Sequence, residues 1–98
     1  MKKYCFAYYN KLGTFYGQPF FVDHNKEEFP KVLHQNLFGA KKEDLESLKE
    51  DDLVYLGEFD NETGKFVADN EVVAVMSSEV ADILVKKFGE KENAVKCW

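Results

Sequence analysis

Aromatic residues alternate with other residues near the start of the chain, in the period-two pattern of a β-strand. Residues 4–9, Tyr-Cys-Phe-Ala-Tyr-Tyr, are rich in strand formers. Alternation assigns one face to Tyr4, Phe6 and Tyr8, which we expect to be buried. It assigns the opposite face to Cys5, Ala7 and Tyr9.

A turn at residues 10–13 predicts that the chain returns as a second strand over residues 14–22. Gly17 and Pro19 interrupt this strand. Because proline has no N–H for a ladder hydrogen bond, we expect an edge segment or a bulge at Pro19.

The spacing of Phe29, Leu33 and Leu37 at i, i+4 and i+8 predicts a helix with one apolar stripe. Residues 23–25, Asp-His-Asn, are a helix-start signal. Pro30 is then expected in the first helical turn, where its missing N–H costs little.

Residues 41–52 carry few apolar side chains and predict a loop or a short surface helix. Residues 53–59 predict a third strand, and residues 60–64, Asp-Asn-Glu-Thr-Gly, a hairpin turn closed by a left-handed glycine. Residues 65–68 return as the next strand. Residues 71–76 are either a fifth strand or a continuation of that strand past a bulge.

The last predicted helix is capped by Ser77 or Ser78 and ends at Gly89. Its apolar positions are Val80, Ile83, Leu84 and Phe88. The order ββαββ(β)α predicts an α+β fold, with a small antiparallel sheet of two hairpins (four to five strands) and two helices packed on one face.

A chain of 98 residues has the size of a single domain, 1–98, and residues 90–98 are expected to form a flexible tail. No apolar run approaches the roughly 20 residues that cross a bilayer, so no membrane association is expected. Polar residues at 8–11 interrupt any secretory signal. Cys5 and Cys97 are interpreted as reduced thiols, because a disulfide framework in a small chain uses more cysteines.

The residues present argue against catalysis, metal binding and a cofactor. Cys5 with His24 or His34 is the only cysteine–histidine combination available, and its surroundings match no nucleophile signature. Paired zinc-ligand spacing is lacking. Residues 60–71 fail as a calcium loop, because Lys65 stands where that loop requires glycine. We therefore predict a protein that is not an enzyme and takes no cofactor.

All 13 basic residues are lysine, and the net charge is −5. The absence of arginine disfavours specific nucleic-acid recognition, since arginine supplies the bidentate contacts to phosphates and guanine. The first hairpin nonetheless combines aromatic and basic residues, a pattern that holds single-stranded nucleic acid by stacking and charge. Its candidate binding residues are Lys2, Lys3, Tyr9, Lys11 and Tyr16. The simpler interpretation is that these aromatic side chains build the sheet core.

Acidic residues are concentrated between positions 43 and 71, a segment that contains eleven acidic residues and only two lysines. Such a segment is either an ordinary solvated surface or a face that engages a basic partner. The candidate acidic partner face is Glu43, Asp44, Glu46, Glu50, Asp51, Asp52, Glu58, Asp60 and Glu62.

Two segments taken together resemble a known family. Residues 6–21, Phe-Ala-Tyr-Tyr-Asn-Lys-Leu-Gly-Thr-Phe-Tyr-Gly-Gln-Pro-Phe-Phe, precede residues 52–66, Asp-Leu-Val-Tyr-Leu-Gly-Glu-Phe-Asp-Asn-Glu-Thr-Gly-Lys-Phe. Their order and spacing are similar to the small nonstructural protein of gokushovirus-type microviruses, the single-stranded DNA phages. The similarity covers roughly residues 4–70, and residues 57–60 before Thr63-Gly64 are its most specific part.

The resemblance implies a non-virion protein in the cytoplasm of the bacterial host, with a role in viral DNA replication or packaging and no defined catalytic residues. The leading hypothesis is an accessory protein that binds a viral or host protein. The alternatives are a non-specific single-stranded DNA-binding protein that uses the first hairpin, and an acidic inhibitor of a host nucleic-acid-binding protein. A homodimer is a further hypothesis, with the strand edge near Pro19 or the Trp98 tail as the contact.

Overall fold

The computed structural model describes residues 1–89, and these form an antiparallel sheet with helices on one side. This confirms the predicted α+β fold. The strands are β1 (Lys2–Asn10), β2 (Phe15–Tyr16), β3 (Phe20–Val22), β4 (Asp51–Asp60) and β5 (Phe66–Val75). The helices are α1 (Phe29–Leu37), α2 (Lys42–Ser47) and α3 (Met76–Ile83), which continues into a π-helical turn, Leu84–Phe88.

The sheet order is β2-β1-β4-β5, and β3 pairs with β1 along the same edge as β2. The predicted second strand is therefore two short strands, and the break between them contains Gly17 and Pro19 as expected. β1 and β4 pair over most of their length, from Lys2 opposite Asp60 to Asn10 opposite Asp51. This central pairing joins the two hairpins.

The helices cover one face of the sheet, which we call the helix-covered face. Phe6, at 0% exposure, contacts Phe29 of α1 at 4.6 Å and Tyr55 of β4 at 5.4 Å between ring centroids. Tyr4 and Tyr8 lie on this face as predicted but are only partly buried. Cys5 and Ala7, on the opposite side of β1, are also buried, at 4% and 0%.

A second core cluster packs the three helices together near the start of β4. Its fully buried residues are Leu45, Met76, Val80 and Ile83. Residues 41–52 therefore contain a short helix rather than only a loop, because Leu45 provides a buried anchor at 0% exposure.

Helix α1 begins later than the start signal at residues 23–25 indicates. Asn25 Oδ1 accepts the backbone N–H groups of Glu27 (3.0 Å) and Glu28 (2.8 Å), so it closes a turn that precedes the helix. Pro30 lies in the first turn, as predicted.

Helix α3 begins at Met76, before the two serines, and has no side-chain cap. The predicted serine cap is therefore wrong, because β5 leads directly into the helix. Gly89 ends the helical segment in a left-handed conformation (φ 68°), as expected. The two segments predicted after the turn form one strand, β5 (Phe66–Val75), with register shifts against β4. The predicted tail, 90–98, with Cys97 and Trp98, lies outside the described residues.

None of the helices in residues 1–89 is both long enough and apolar enough to span a membrane.

Candidate interaction surface

The side of the sheet opposite the helices carries exposed apolar side chains, and we call it the open face. Register places Tyr9 opposite Tyr16, Phe59 opposite Phe66, and Val72 opposite Val54 on this side. Within residues 1–89, the strand residues that belong to the two core clusters lie mainly on the helix-covered face. The large side chains of the open face are Tyr9, Tyr16, Phe21, Phe59, Phe66, Val72 and Val75.

Four of these side chains are strongly exposed for their type. Phe21 is 54% exposed, Val72 51%, Tyr16 47% and Phe66 46%. Exposed apolar residues scattered singly are normal, whereas several on one face mark a surface that binds another molecule.

Three phenylalanines form a cluster at the end of the open face near the β4–β5 turn. The rings of Phe21 and Phe59 meet edge to face, 6.2 Å apart. Phe66 is the cross-strand partner of Phe59, and its ring lies against Gly57. A register shift between Tyr55 and Gly57 bends β4 at this point. Bulges of this kind increase the local twist of a sheet.

Tyr9 and Tyr16 lie together at the other end of the open face, with ring centroids 4.8 Å apart. The Asn70 side-chain amide donates to the Tyr16 hydroxyl at 3.2 Å, which links the two outermost strands, β2 and β5. Because three strand spacings amount to about 14 Å, this hydrogen bond requires the sheet to curl toward the open face. The curl accounts for burial of the small side chains beneath: Cys5, Ala7 and Val54.

The lysines predicted to bind nucleic acid each pair with a carboxylate of the chain. Lys2 Nζ lies 2.7 Å from Glu58, Lys3 pairs with Asp23, and Lys11 Nζ lies 3.2 Å from Asp52. The hydrogen bond from Lys3 lowers the pKa of Asp23.

The five candidate binding residues therefore do not form one surface. Tyr9, Tyr16 and Lys3 belong to the open face by register, whereas Lys2 lies on the helix-covered side with Glu58. The hydrogen bond with Glu58 raises the pKa of Lys2. Lys11 lies in the β1–β2 turn.

The acidic residues of the predicted partner face lie at two separate places. Glu43, Asp44 and Glu46 are on α2, and Glu50 to Asp52 follow it. Glu58, Asp60 and Glu62 lie at the other end of β4. Asp52 and Asp60 are separated by eight residues of strand, about 26 Å at 3.3 Å per residue. One continuous acidic face is therefore not formed by these nine residues.

His34 and Cys5 lie on opposite sides of the sheet and have different environments. His34, on α1, pairs its Nδ1 with Glu79 Oε1 at 2.7 Å and its Nε2 with Asp82 Oδ2 at 3.5 Å, which ties α1 to α3. Cys5 lies beneath the open face on the other side of the sheet, and burial raises the pKa of its thiol. Among residues 1–89, no group of three or more histidine, cysteine, aspartate or glutamate side chains is arranged to hold a metal ion.

Sequence reasoning identified Tyr9 and Tyr16 but missed Phe21, Phe59, Phe66 and Val72. One signal was present: Phe59 and Phe66 flank the hairpin turn symmetrically, so pairing places them opposite each other. Which side the helices would leave uncovered had no such signal.

No protein-family model, curated protein or solved structure matches this chain. The similarity to the microvirus nonstructural proteins consequently stays a prediction.

Proposed function

We propose that this protein is a non-catalytic binding protein whose open sheet face receives a protein partner. In the setting that the resemblance implies, the partner is a viral or host protein that takes part in single-stranded DNA replication or packaging. The observation that supports the proposal is the exposure of Phe21, Phe66 and Val72 together on one uncovered face.

Burial of these side chains supplies enough free energy for association. Covering the exposed half of one phenylalanine removes about 100 Å² from water, which is roughly 2.5 kcal/mol at 25 cal/mol per Å². Phe21 and Phe66 each offer about half of their surface, at 54% and 46%. Aromatic side chains at the centre of an interface commonly dominate its affinity.

The charges favour a protein partner over nucleic acid. A phosphate backbone needs cations that are free to replace its counterions. Here Lys2, Lys3 and Lys11 already face Glu58, Asp23 and Asp52. A protein with an apolar patch needs no such exchange.

The test compares Phe21→Ser with Phe15→Ser. Phe15 is 58% exposed, lies in the same hairpin and pairs with Asn10, which places it on the opposite side of the sheet. Affinity-tagged protein expressed in infected host cells should recover a specific partner. Phe21→Ser should weaken that interaction by about 1–2.5 kcal/mol, roughly five- to seventyfold, whereas Phe15→Ser should leave it intact. Equal retention by both variants would exclude the open face.

Single-stranded DNA binding is the second candidate, and the pair of Tyr9 and Tyr16 rings at 4.8 Å is the observation that favours it. Two adjacent rings offer a stacking platform for bases. Fluorescence anisotropy with a generic oligonucleotide at about 50 and about 200 mM salt distinguishes the candidates. Binding that is lost in Tyr16→Ala and falls steeply with salt would favour this function over the first.

A further inference from the structure

Within residues 1–89, the outer edge of β5 is a long run of backbone without a neighbouring strand. β5 spans ten residues, Phe66–Val75, and ends the sheet order within residues 1–89. The opposite edge is divided into two short strands, β2 and β3, with Pro19 between them. Unpaired N–H and C=O groups along a straight edge are a template for another strand, and native proteins usually protect them with lysine, proline or a very short edge. β5 has neither lysine nor proline and is ten residues long, and its protection consists of two carboxylates, Asp69 and Glu71, and the register shifts against β4.

The two sides of this edge differ in chemistry. On the open face, β5 presents Phe66, Ala68 and Val72, which are paired with Phe59, Gly57 and Val54. On the helix-covered side it presents Glu71, opposite Tyr55, and Asp69, preceded by Val67, which is opposite Glu58 and 62% exposed. A strand added to the middle of this edge would therefore meet apolar side chains on one face and the two carboxylates on the other.

A groove beside the acidic side of the edge already holds a cation from the chain itself. The groove has a volume of about 310 Å³, and its lining includes Tyr4, Tyr55, Glu58 and Asp69. Lys26 lines it too: its Nζ lies 2.9 Å from Glu71 Oε1 and 5.8 Å from the centre of the Tyr55 ring. Carboxylate and aromatic face together are a favourable environment for an ammonium or guanidinium group.

We propose that the β5 edge binds an extended segment of a basic partner by strand addition. Alternate residues of that segment would be lysine or arginine, directed toward Asp69 and toward Glu71, whose carboxylate they would share with Lys26, and apolar, directed toward Phe66 and Val72. Main-chain hydrogen bonds supply affinity in this mode, and the alternate side chains supply specificity. The inference rests on the proposed function, since the occupant is the protein partner of the open face.

The acidic centre of β5 selects against a second copy of this chain. If two β5 strands paired antiparallel with Asn70 opposite Asn70, Asp69 of each copy would lie opposite Glu71 of the other. The pairing would therefore contain two contacts between like charges. Like charges directly opposite each other destabilise a strand pair. A basic strand replaces both repulsions with attractions.

The probe is a ten-residue peptide of alternating valine and lysine, blocked at both termini. Its control has the same composition with the five lysines and the five valines in separate blocks. The full-length protein is studied by amide hydrogen exchange and by titration. We expect the alternating peptide to slow exchange of those backbone amides within Phe66–Val75 that point away from β4 by at least about tenfold, and the block peptide to leave them unchanged.

Protein variants separate strand addition from general charge attraction. Asp69→Asn with Glu71→Gln should weaken the alternating peptide by about tenfold or more, because two charge-assisted contacts are lost. Glu43→Gln with Glu62→Gln removes the same charge at other places and should have less than about a twofold effect. Thermal unfolding of both double variants checks that the fold is retained.

Three outcomes would overturn the inference. They are binding of the peptide without protection of β5, equal protection by the block peptide, or protection in the free protein of the β5 amides that point away from β4. In the last case, protection that grows with protein concentration would identify a second copy as occupant, and protection independent of concentration a segment of the same chain. If a natural partner depends on Phe21 but not on Asp69 and Glu71, the edge inference fails while the proposed function stands.

Discussion

The ring of Phe66 lies against the Cα of Gly57 on the open face of the sheet. A Cβ atom on residue 57 would approach Phe66 Cζ to 2.7 Å and would also collide with the carbonyl oxygen of Val67. Gly57 has φ 144°, a conformation that side-chain-bearing residues rarely adopt. One glycine therefore allows both the bend of β4 and the position of a large exposed ring.

Gly57→Ala should accordingly destabilise the protein by about 2–4 kcal/mol, since strain at this backbone conformation and collision with the neighbouring strand act together. Gly17→Ala is the matched control, because its Cβ would meet only Tyr8 O, at 3.6 Å. Its effect should stay within about 1 kcal/mol. Urea unfolding followed by circular dichroism measures both, and equal losses would contradict the role assigned to Gly57.

Substitutions of two phenylalanines on neighbouring strands should show which side of the sheet forms the core. Phe6→Ala, at a position with 0% exposure, should cost about 3–5 kcal/mol. Phe21→Ala, at 54% exposure on the open face, should cost less than about 1.5 kcal/mol. The free energy of unfolding from denaturant titration decides between them, and a larger loss for Phe21 would reverse the assignment of the faces.

Acid should weaken the β4–β5 turn through Asp60. The backbone N–H of Glu62 donates to Asp60 Oδ1 at 2.9 Å and lowers the pKa of this carboxyl below its usual 3.8. A carboxyl with a lowered pKa in the folded state stabilises the fold above its unfolded pKa, and that contribution is lost as pH falls through the folded value.

The prediction is that wild type exceeds Asp60→Asn in melting temperature at neutral pH and that the difference shrinks below about pH 4. Asparagine keeps an acceptor oxygen but cannot titrate, so it isolates the charge. Thermal melts from about pH 6 to about pH 2 measure the difference. A gap that is constant across this range would mean that the charge of Asp60 contributes nothing.

Cys5 should react slowly with alkylating reagents, although none of the helices in residues 1–89 covers its side of the sheet. The residue is 4% exposed, and burial raises the pKa of its thiol, so little reactive thiolate is present near neutral pH. In a Cys97→Ser background, labelling by iodoacetamide should be at least about tenfold slower in the folded protein than in urea. Mass spectrometry follows the time course. Equal rates would show that the open face does not curl over Cys5.

Local patterns in the sequence predicted the elements well where a turn residue or a period set them. Pro19 predicted the division of the second strand, and Pro30 the first turn of α1, because proline restricts its own backbone. Residues 60–64 predicted the turn between β4 and β5. The serine cap of α3 was wrong because β5 runs directly into that helix, which no local signal indicates.

The candidate site was less predictable, because it depends on pairings between distant residues. Lys2 and Glu58 are 56 positions apart and meet only because β1 pairs with β4. The same pairing brings Lys11 to Asp52 and separates the acidic residues along β4, whereas Lys3 meets Asp23 just after β3, the other neighbour of β1. The net charge of a sequence segment therefore did not predict which of its charged side chains form ion pairs.

By itself, the sequence determined the composition of the strands, the places where they break and turn, and the lack of arginine. Those properties follow from side-chain periodicity and backbone restriction, which act over a few residues. Only the tertiary structure decided which side of the sheet stays open, which lysines are paired and that β5 lies at the edge. Both faces of these strands carry apolar side chains, so the alternation of side chains does not say which face is buried. That is decided by the long-range pairing of the strands and by the side on which the helices pack.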